Sequence, residues 1–235
     1  MSAGERRDRV SGVGMTSDRT RLRMIDRLRS EGIQDEVVLA AMTAVPRHLF
    51  IEEALAHRAY DFDVALPIGF EQTISQPITV ARVTELARAG APLGKVLEIG
   101  AGSGYQAAVL AHLAREVYAV ERVAQLAALS RNRLVRELRL SNVRMRHADG
   151  LRGLPEAAPF DAIVISAALP YIPDELLAQL ADGGRMVRPH GVPGRQQQLC
   201  VTQRSGSRFI ETAHDAVRFV PALLGKTTPP SPARR

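Results

Sequence analysis

The chain has 235 residues and a formal net charge of +6, and 46% of its residues are hydrophobic. This length and composition are enough to bury one large core, which excludes a chain that is disordered throughout. The single cysteine, Cys200, excludes an internal disulfide framework, and no run reaches the roughly eighteen apolar residues of a membrane span.

The positive charge is concentrated at the two ends of the chain. Residues 1–29 hold eight arginines against four acids, and residues 226–235 hold three basic residues and no acid, so the remainder is close to neutral. Such ends are typical of solvated tails, and we expect neither nucleic-acid binding nor membrane association. Because the charged N-terminal residues lack the apolar stretch of a secretory signal, we expect a cytoplasmic location.

The N-terminal third of the chain predicts helices and loops. The first helix begins at Ser17 or Asp18, which can cap it, and ends at Gly32. Its predicted apolar face consists of Leu22, Ile25 and Leu28. A second short helix follows Asp35 and ends before Pro46.

The stretch that follows mixes helix and loop. Residues 46–60 predict one helical segment, whereas residues 61–76 contain glycine and proline without a clean period and predict a loop. Pro77 suits the first turn of a further helix, which runs to Gly90.

From residue 95 onward, short apolar runs alternate with helical stretches. The predicted strands are residues 95–100, 116–121, 142–150, 160–168 and 185–189. The predicted helices between them are residues 105–114, residues 123–138 and a helix that begins at Pro173 and ends at Gly183 and Gly184. Strands separated by helices predict an α/β fold with a doubly wound, mostly parallel sheet.

Two further apolar runs flank Ser205, Gly206 and Ser207, which is a hairpin signal, so we expect the sheet to end in an antiparallel hairpin. The predicted sheet spans residues 95–225 and forms one domain with the helical and loop-rich residues 17–94. Residues 1–16 and 226–235 are expected to be disordered tails.

A glycine-rich loop follows the first strand of the predicted sheet. Gly100, Gly102 and Gly104 alternate with other residues there. Open parallel sheets bind ligands beyond the carboxyl ends of their strands, and glycines let the backbone approach a ligand closely. The loop therefore predicts a nucleotide-type ligand, with a tight turn that binds nothing as the structural alternative.

Acidic residues around this loop restrict the kind of nucleotide-type ligand that it can bind. Glu121 ends the next strand, where a carboxylate can accept both hydroxyls of an adenosine ribose, and Asp149 and Gly150 follow near the adenine. Glu98 precedes the glycines, where it suits a cationic ligand and not a pyrophosphate. S-adenosylmethionine (AdoMet) carries an ammonium and a sulfonium and no phosphate, so we predict AdoMet. A solvated strand end for Glu121 and a turn-forming role for Asp149 are the alternatives.

The chain resembles the protein-L-isoaspartate O-methyltransferase family of class I AdoMet-dependent enzymes over about residues 18–225. LEIGAGSGY, the strand end at Glu121, HADG and FDAIVISAA are similar to motifs of the whole superfamily. Three segments resemble this family in particular: VPRHLF at residues 45–50, ALPIG and QTISQP within residues 65–77, and VRFVP at residues 217–221.

The resemblance implies a Rossmann-like class I methyltransferase fold and a repair reaction. The family methylates the free α-carboxyl of L-isoaspartyl residues in damaged proteins, and the ester then closes to a succinimide and reopens partly as normal aspartate. The expected partners are isoaspartyl peptides and damaged proteins. Six histidines and one cysteine without ligand spacing predict no metal site.

By resemblance, Ser75 is the active-site serine. A carboxylate is already ionised near neutral pH, so its methylation needs no general base, and positioning is the main task. We expect the Ser75 hydroxyl to hydrogen-bond the carboxylate and aim it, with a helix cap before Pro77 as the structural alternative. A nucleophilic serine is not expected, because Ser75 does not lie in G-x-S-x-G. The expected cofactor contacts are Ile74, Ser75, Glu98, Gly100, Gly102, Glu121, Asp149 and Gly150.

The sequence departs from the family pattern at positions that border the expected peptide site. Glu71 stands where many members carry glycine, and Ile78 with Thr79 replaces the more usual aromatic residue or histidine and methionine.

Two other functions stay open. One is an AdoMet-dependent methyltransferase of a small molecule or RNA, for which the QTISQP segment would be incidental. The other is a non-catalytic AdoMet-binding adaptor for damaged proteins, against which the intact Ser75 argues.

Overall fold

Helices and short turns form the N-terminal segment in the computed structural model, which describes residues 11–169, 171–192, 194–223 and 225–227. The α-helices are α1 (Asp18–Ser30), α2 (Glu36–Ala44) and α3 (Pro77–Arg88). Short 3₁₀ helices cover Gly14–Thr16, Arg47–Phe50 and Glu53–Arg58. The last two replace the single helical segment predicted over residues 46–60. Before α3, the strands β1 (Leu66–Pro67) and β2 (Thr73–Ile74) pair antiparallel.

Local signals explain why the first helices lie close to their predicted positions. The Asp35 side chain accepts hydrogen bonds from the backbone N–H groups of Val37 and Val38, at 3.0 and 3.3 Å, and so caps α2. The predicted apolar face of α1 is wrong in one position, since Leu22 is 50% exposed. The buried residues of α1 are Arg21, Met24, Ile25 and Leu28. Arg21 is buried against the core, where the helical pattern predicted Leu22.

A seven-stranded sheet forms the rest of the fold. Its strands are β3 (Leu93–Ile99), β4 (Ala114–Glu121), β5 (Val143–His147), β6 (Phe160–Ile165), β7 (Leu180–His190), β8 (Gln197–Ser205) and β9 (Arg208–Val217). Their order is β5-β4-β3-β6-β7-β8-β9. Neighbouring strands from β5 to β7 pair parallel, whereas β8 pairs antiparallel with both β7 and β9. The prediction of a doubly wound, mostly parallel sheet that ends in an antiparallel hairpin is confirmed.

Helices α4 (Tyr105–Ala111), α5 (Ala124–Arg131) and α6 (Asp174–Leu177) connect parallel strands, and α5 continues as a π-helix over Asn132–Glu137. The helix predicted from Pro173 to Gly183 is wrong after its first turn. Strand β7 already begins at Leu180, which is fully buried and pairs with Phe160. The glycines lie within this strand, where its register with β6 shifts. They form an irregularity in a strand and do not end a helix.

The central strands β3, β4 and β6 are largely buried on both faces. Val96 contributes to a large apolar cluster with helices α1 to α5, whereas Leu97 and Ile99 contribute to a smaller cluster with α6 and β7. This alternation follows the two-residue period of a strand and leaves only the ends of the strands open to ligands. Across the described residues, no helix is both long enough and apolar enough to cross a membrane.

The turn between β1 and β2 contains Glu71, one of the departures from the family pattern. Phe70 and Glu71 both have positive φ, at 54° and 57°, and the Gln72 N–H donates to the Gly69 carbonyl at 2.9 Å. Hairpin turns with two positive φ angles favour glycine, because a side chain is strained there. The glycine that the resemblance predicts at position 71 therefore has a backbone reason.

We expect Glu71→Gly to raise the free energy of unfolding by up to about 1 kcal/mol, since relief of the left-handed strain exceeds the entropy that glycine adds to the unfolded chain. Denaturant titration of both proteins would measure this change. Glu71→Ala is the control and should give no gain, because alanine meets the same strain. Equal effects of glycine and alanine would contradict the backbone explanation.

Candidate active site

The glycine loop lies where the sheet changes direction. Strand β3 has β4 on one side and β6 on the other, which opens a crevice at its carboxyl end. The N–H groups of Gly100 and Ala101 donate to the Val120 carbonyl at 2.9 and 3.1 Å, which ties the loop to β4. Gly102 has a φ of 51°, and a Cβ on it would lie 3.2 Å from Ile68 Cδ1. At this point of the loop, the wall of the crevice is therefore backbone without a side chain.

Glu121 fixes this loop from the end of β4. One carboxylate oxygen accepts the Gly102 N–H and the other accepts the Val123 N–H, both at 2.8 Å. The side chain is only 4% exposed. Each oxygen retains acceptor capacity for a further donor in the crevice.

A first cavity, the Glu121 cavity, holds most of the predicted cofactor residues. Its volume is about 640 Å³, including space open to solvent. Five predicted residues line it: Gly100, Gly102, Glu121, Asp149 and Gly150. The structure thus brings together residues from three different strand ends.

Asp149 and Gly150 shape one wall of this cavity. The Asp149 carboxylate accepts the N–H of Leu151 at 3.1 Å and that of Gly225 at 2.9 Å. A Cβ on Gly150 would lie 2.4 Å from Ile99 Cγ2, so this position has no room for a side chain. Asp149 thereby joins the third strand end to the C-terminal segment.

The other three predicted residues lie in an adjoining cavity of about 320 Å³, including space open to solvent. This cavity, the Glu98 cavity, is lined by Ile74, Ser75 and Glu98 together with Gly100 and Gly102. Glu98 is 1% exposed, and neither of its carboxylate oxygens has a hydrogen-bond partner among the described residues. Burial, and to a lesser extent the charge of Glu121, raises the pKa of Glu98 to about 8. A buried carboxyl without partners is costly, and a cationic donor would satisfy it.

Ser75 lies at the boundary between this cavity and a third one. The third, the Gln76 cavity, has about 940 Å³, including open solvent, and Ser75, Gln76, Thr79 and residues 216–220 are among its lining. The Ser75 carbonyl accepts a hydrogen bond from Arg47 Nη2 at 2.7 Å. The half-buried Ser75 therefore stands between the glycine loop and an open, larger space.

Sequence reasoning missed two hydroxyl residues at this junction. Thr73 and Ser166 line all three cavities. Ser166 follows β6, and its N–H donates to the Ile99 carbonyl at 2.9 Å, which places it across the crevice from the glycine loop. Its position at the end of a predicted strand was a signal, but only the strand order brings it next to β3.

The C-terminal segment was also missed as part of the site. Residues 220–223 line the Glu121 cavity. The Ala168 N–H donates to the Val220 carbonyl and the Ala222 N–H donates to the Ala168 carbonyl, both at 2.8 Å. Within the described residues, no group of three or more His, Cys, Asp or Glu residues could hold a metal ion.

The sheet order, the glycine loop at its switch point and the carboxylates that end β3 and β4 define a Rossmann-like methyltransferase of the class I AdoMet-dependent type. The model of one family, protein-L-isoaspartate(D-aspartate) O-methyltransferase, matches residues 19–227. The chain belongs to this family, and the resemblance found in the sequence is confirmed.

Relatives match over nearly their whole length. A protein-L-isoaspartate O-methyltransferase 2 of Nitrosospira multiformis is 60% identical over 90% of this chain and 98% of its own. A protein-L-isoaspartate O-methyltransferase of Methylobacillus flagellatus is 57% identical over 92% of this chain and 97% of its own. The high coverage of both chains shows that the similarity is not confined to the cofactor motifs.

Solved structures share the fold. A protein-L-isoaspartate O-methyltransferase superposes with a TM-score of 0.75 at 27% identity, over 87% of this chain and 67% of its own. A Plasmodium falciparum chain described as a beta-aspartate methyltransferase, in complex with S-adenosyl-L-homocysteine, gives a TM-score of 0.71 at 24% identity, over 86% of this chain and 98% of its own.

Proposed function

We propose that this protein transfers the methyl group of AdoMet to the free α-carboxylate of L-isoaspartyl residues in damaged proteins, and that Ser75 orients that carboxylate. The observation that carries the proposal is the position of Ser75, which lines both the Glu98 cavity and the Gln76 cavity. A hydroxyl at such a boundary can hold an acceptor that enters from one side against a donor held on the other.

The residues around the glycine loop fit AdoMet. The oxygens of Glu98, which have no hydrogen-bond partner among the described residues, suit the ammonium group of AdoMet, and Glu121 suits the ribose hydroxyls at the other end of the loop. When bound, AdoMet supplies a methyl group on a cationic sulfur, and its transfer to a carboxylate leaves a neutral ester and a neutral thioether without any proton transfer. The protein then needs no general base, and its residues bind, orient and exclude water.

The Gln76 cavity suits an anionic acceptor on an open surface. Among its described lining residues, Arg218 is the one charged side chain. A cation at the mouth attracts a peptide carboxylate, and hydroxyl groups at the inner end can orient it. Thr79, one of the departures from the family pattern, also lines this cavity, so we propose that it bears on peptide preference.

Paired peptides test this function against its alternatives. The protein is incubated with labelled AdoMet and with matched isoaspartyl and aspartyl peptides, and base-labile methyl groups are counted. Transfer to the isoaspartyl peptide alone supports the proposal. Transfer to neither peptide would contradict it, and AdoMet binding without any transfer would favour the adaptor.

We also propose a cytoplasmic location and a substrate pool of aged proteins. The lone cysteine, Cys200, is buried and supports a reducing compartment. Cell fractionation with an antibody against this chain would test the location.

We expect AdoMet to bind more tightly as the pH rises toward about 8. Because burial raises the pKa of Glu98, the carboxyl is protonated below about pH 8 in the protein without ligand, and binding of a cation favours its ionised form. Binding then releases a proton, and affinity rises by up to about tenfold per pH unit until it levels off near pH 8. The same raised pKa makes the unliganded fold less stable as the pH rises from about 4.5 through about 8.

Calorimetry at pH 7 in two buffers of different ionisation enthalpy measures the released proton. Glu98→Gln is the control, since an amide cannot titrate. This variant should bind AdoMet more weakly and release fewer protons on binding. Wild-type binding with no more proton release than Glu98→Gln would rule out this coupling.

A further inference from the structure

Arg47 is a fully buried arginine close to the candidate site, in the VPRHLF segment. Its Nε donates to the Ala59 carbonyl at 2.8 Å, and its Nη2 donates to the Ser75 carbonyl at 2.7 Å. Its guanidinium lies over the Tyr105 ring, 4.7 Å from the centroid. The third nitrogen, Nη1, is buried without a hydrogen-bond partner among the described residues.

These contacts are a poor source of stability. Both hydrogen bonds go to neutral carbonyl oxygens, so the buried charge is not neutralised by a carboxylate in these interactions. Burial lowers the pKa of Arg47 to about 10, which still leaves the group charged at neutral pH. An apolar residue of similar volume often stabilises a core as well as a buried charge does. The contacts of Arg47 therefore point to a function other than stability.

The contacts of Arg47 meet at the Glu98 cavity. Tyr105 begins α4 directly after the glycine loop, and both Tyr105 and Ser75 line that cavity. One planar group thus joins the segment that carries Ser75 to the helix that follows the cofactor loop. A guanidinium can donate in its plane and stack on its face at the same time, whereas an ammonium cannot.

We propose that Arg47 is a positioning residue for methyl transfer: it fixes the Ser75 backbone against Tyr105, so that the Ser75 hydroxyl stays aimed at the acceptor carboxylate. This inference rests on the proposed function, because Arg47 acts through Ser75. Arg47 itself need not touch substrate or cofactor.

A double-mutant cycle between Arg47→Lys and Ser75→Ala tests the coupling. We expect Arg47→Lys to lower kcat for an isoaspartyl peptide by about tenfold, because lysine loses the planar two-donor geometry, with the AdoMet dissociation constant within about threefold. In the Ser75→Ala background the same change should lower kcat by less than about twofold. Independent, multiplicative losses, or an unchanged kcat in Arg47→Lys, would overturn the proposal.

Hydrogen exchange gives a readout that does not depend on activity. The amides of residues 73–80 should exchange faster in Arg47→Lys than in the wild type, because one anchor of this segment is lost. Unchanged exchange would overturn the proposal even in a fully active enzyme. A wild type that fails to methylate the isoaspartyl peptide while Arg47→Lys still loosens residues 73–80 would instead contradict the proposed function.

Two further variants complete the design. Arg188→Lys is the matched control, since Arg188 is also buried and its Nε has no hydrogen-bond partner among the described residues, but it bonds to His190 on its own strand β7 and to Glu211 on β9. It should leave kcat within about twofold and exchange at residues 73–80 unchanged, although it lowers stability. Should Arg47→Lys not fold, Arg47→Gln keeps one donor without a buried charge and is expected to give the same non-additive pattern.

Discussion

Ser75→Ala is expected to lower kcat by about ten- to a hundredfold, because one hydrogen bond to a charged group contributes about 1.5 to 3 kcal/mol. The AdoMet dissociation constant should stay within a few fold, since the lost contact is to the acceptor. Steady-state kinetics with an isoaspartyl peptide and calorimetry with AdoMet measure the two effects. Measurable turnover should remain, because a carboxylate needs no activation by the enzyme.

A covalent mechanism at Ser75 makes a different prediction. It requires near-total loss of activity in Ser75→Ala and an adduct on the wild-type serine during turnover. Mass spectrometry of the enzyme under turnover would detect this adduct, and its presence would exclude the positioning role. Full activity in Ser75→Ala would exclude both mechanisms.

Glu121→Ala is expected to weaken AdoMet binding by roughly 1.5 to 3 kcal/mol, the range for hydrogen bonds to a charged group. The structure adds a second cause, since the change also removes the acceptor for the Gly102 and Val123 N–H groups and so loosens the glycine loop. Calorimetry with AdoMet measures the affinity, and thermal unfolding shows whether the variant is folded.

The matched control for this variant is Glu116→Ala. Glu116 lies on the same strand as Glu121 but toward its other end, where it accepts a hydrogen bond from the Tyr118 hydroxyl at 3.0 Å. We expect its loss to leave AdoMet affinity unchanged. A folded Glu121→Ala variant that binds AdoMet like the wild type would remove Glu121 from the cofactor site.

Much of the sheet and of the cofactor loop could be predicted because their signals are local. A strand buried on both faces is a short apolar run, and the glycines and acids stand directly at the strand ends. The sequence alone therefore predicted the parallel strands, the antiparallel hairpin and the family resemblance. It also predicted eight of the residues that line the Glu121 and Glu98 cavities, although their contacts with ligand stay predictions.

Where the local pattern was ambiguous, tertiary contacts decided the structure. Residues 173–184 contain the turn signals of a helix and its end, yet Leu180 joins the sheet because it buries fully beside Phe160. Leu22 fits the helical period of α1, but the core packs against Arg21 and Met24 instead. A periodic pattern identifies an element and its apolar face. Packing decides where the element begins and which residues of that face are buried.

The functional junction was decided by the tertiary structure alone. Ser166 reaches the crevice only because β6 lies beside β3, and Arg47 reaches Ser75 across 28 positions of sequence. Gly225 likewise meets Asp149 from 76 positions away. Contacts of this range arise from how whole elements pack, and no local property of the residues encodes them.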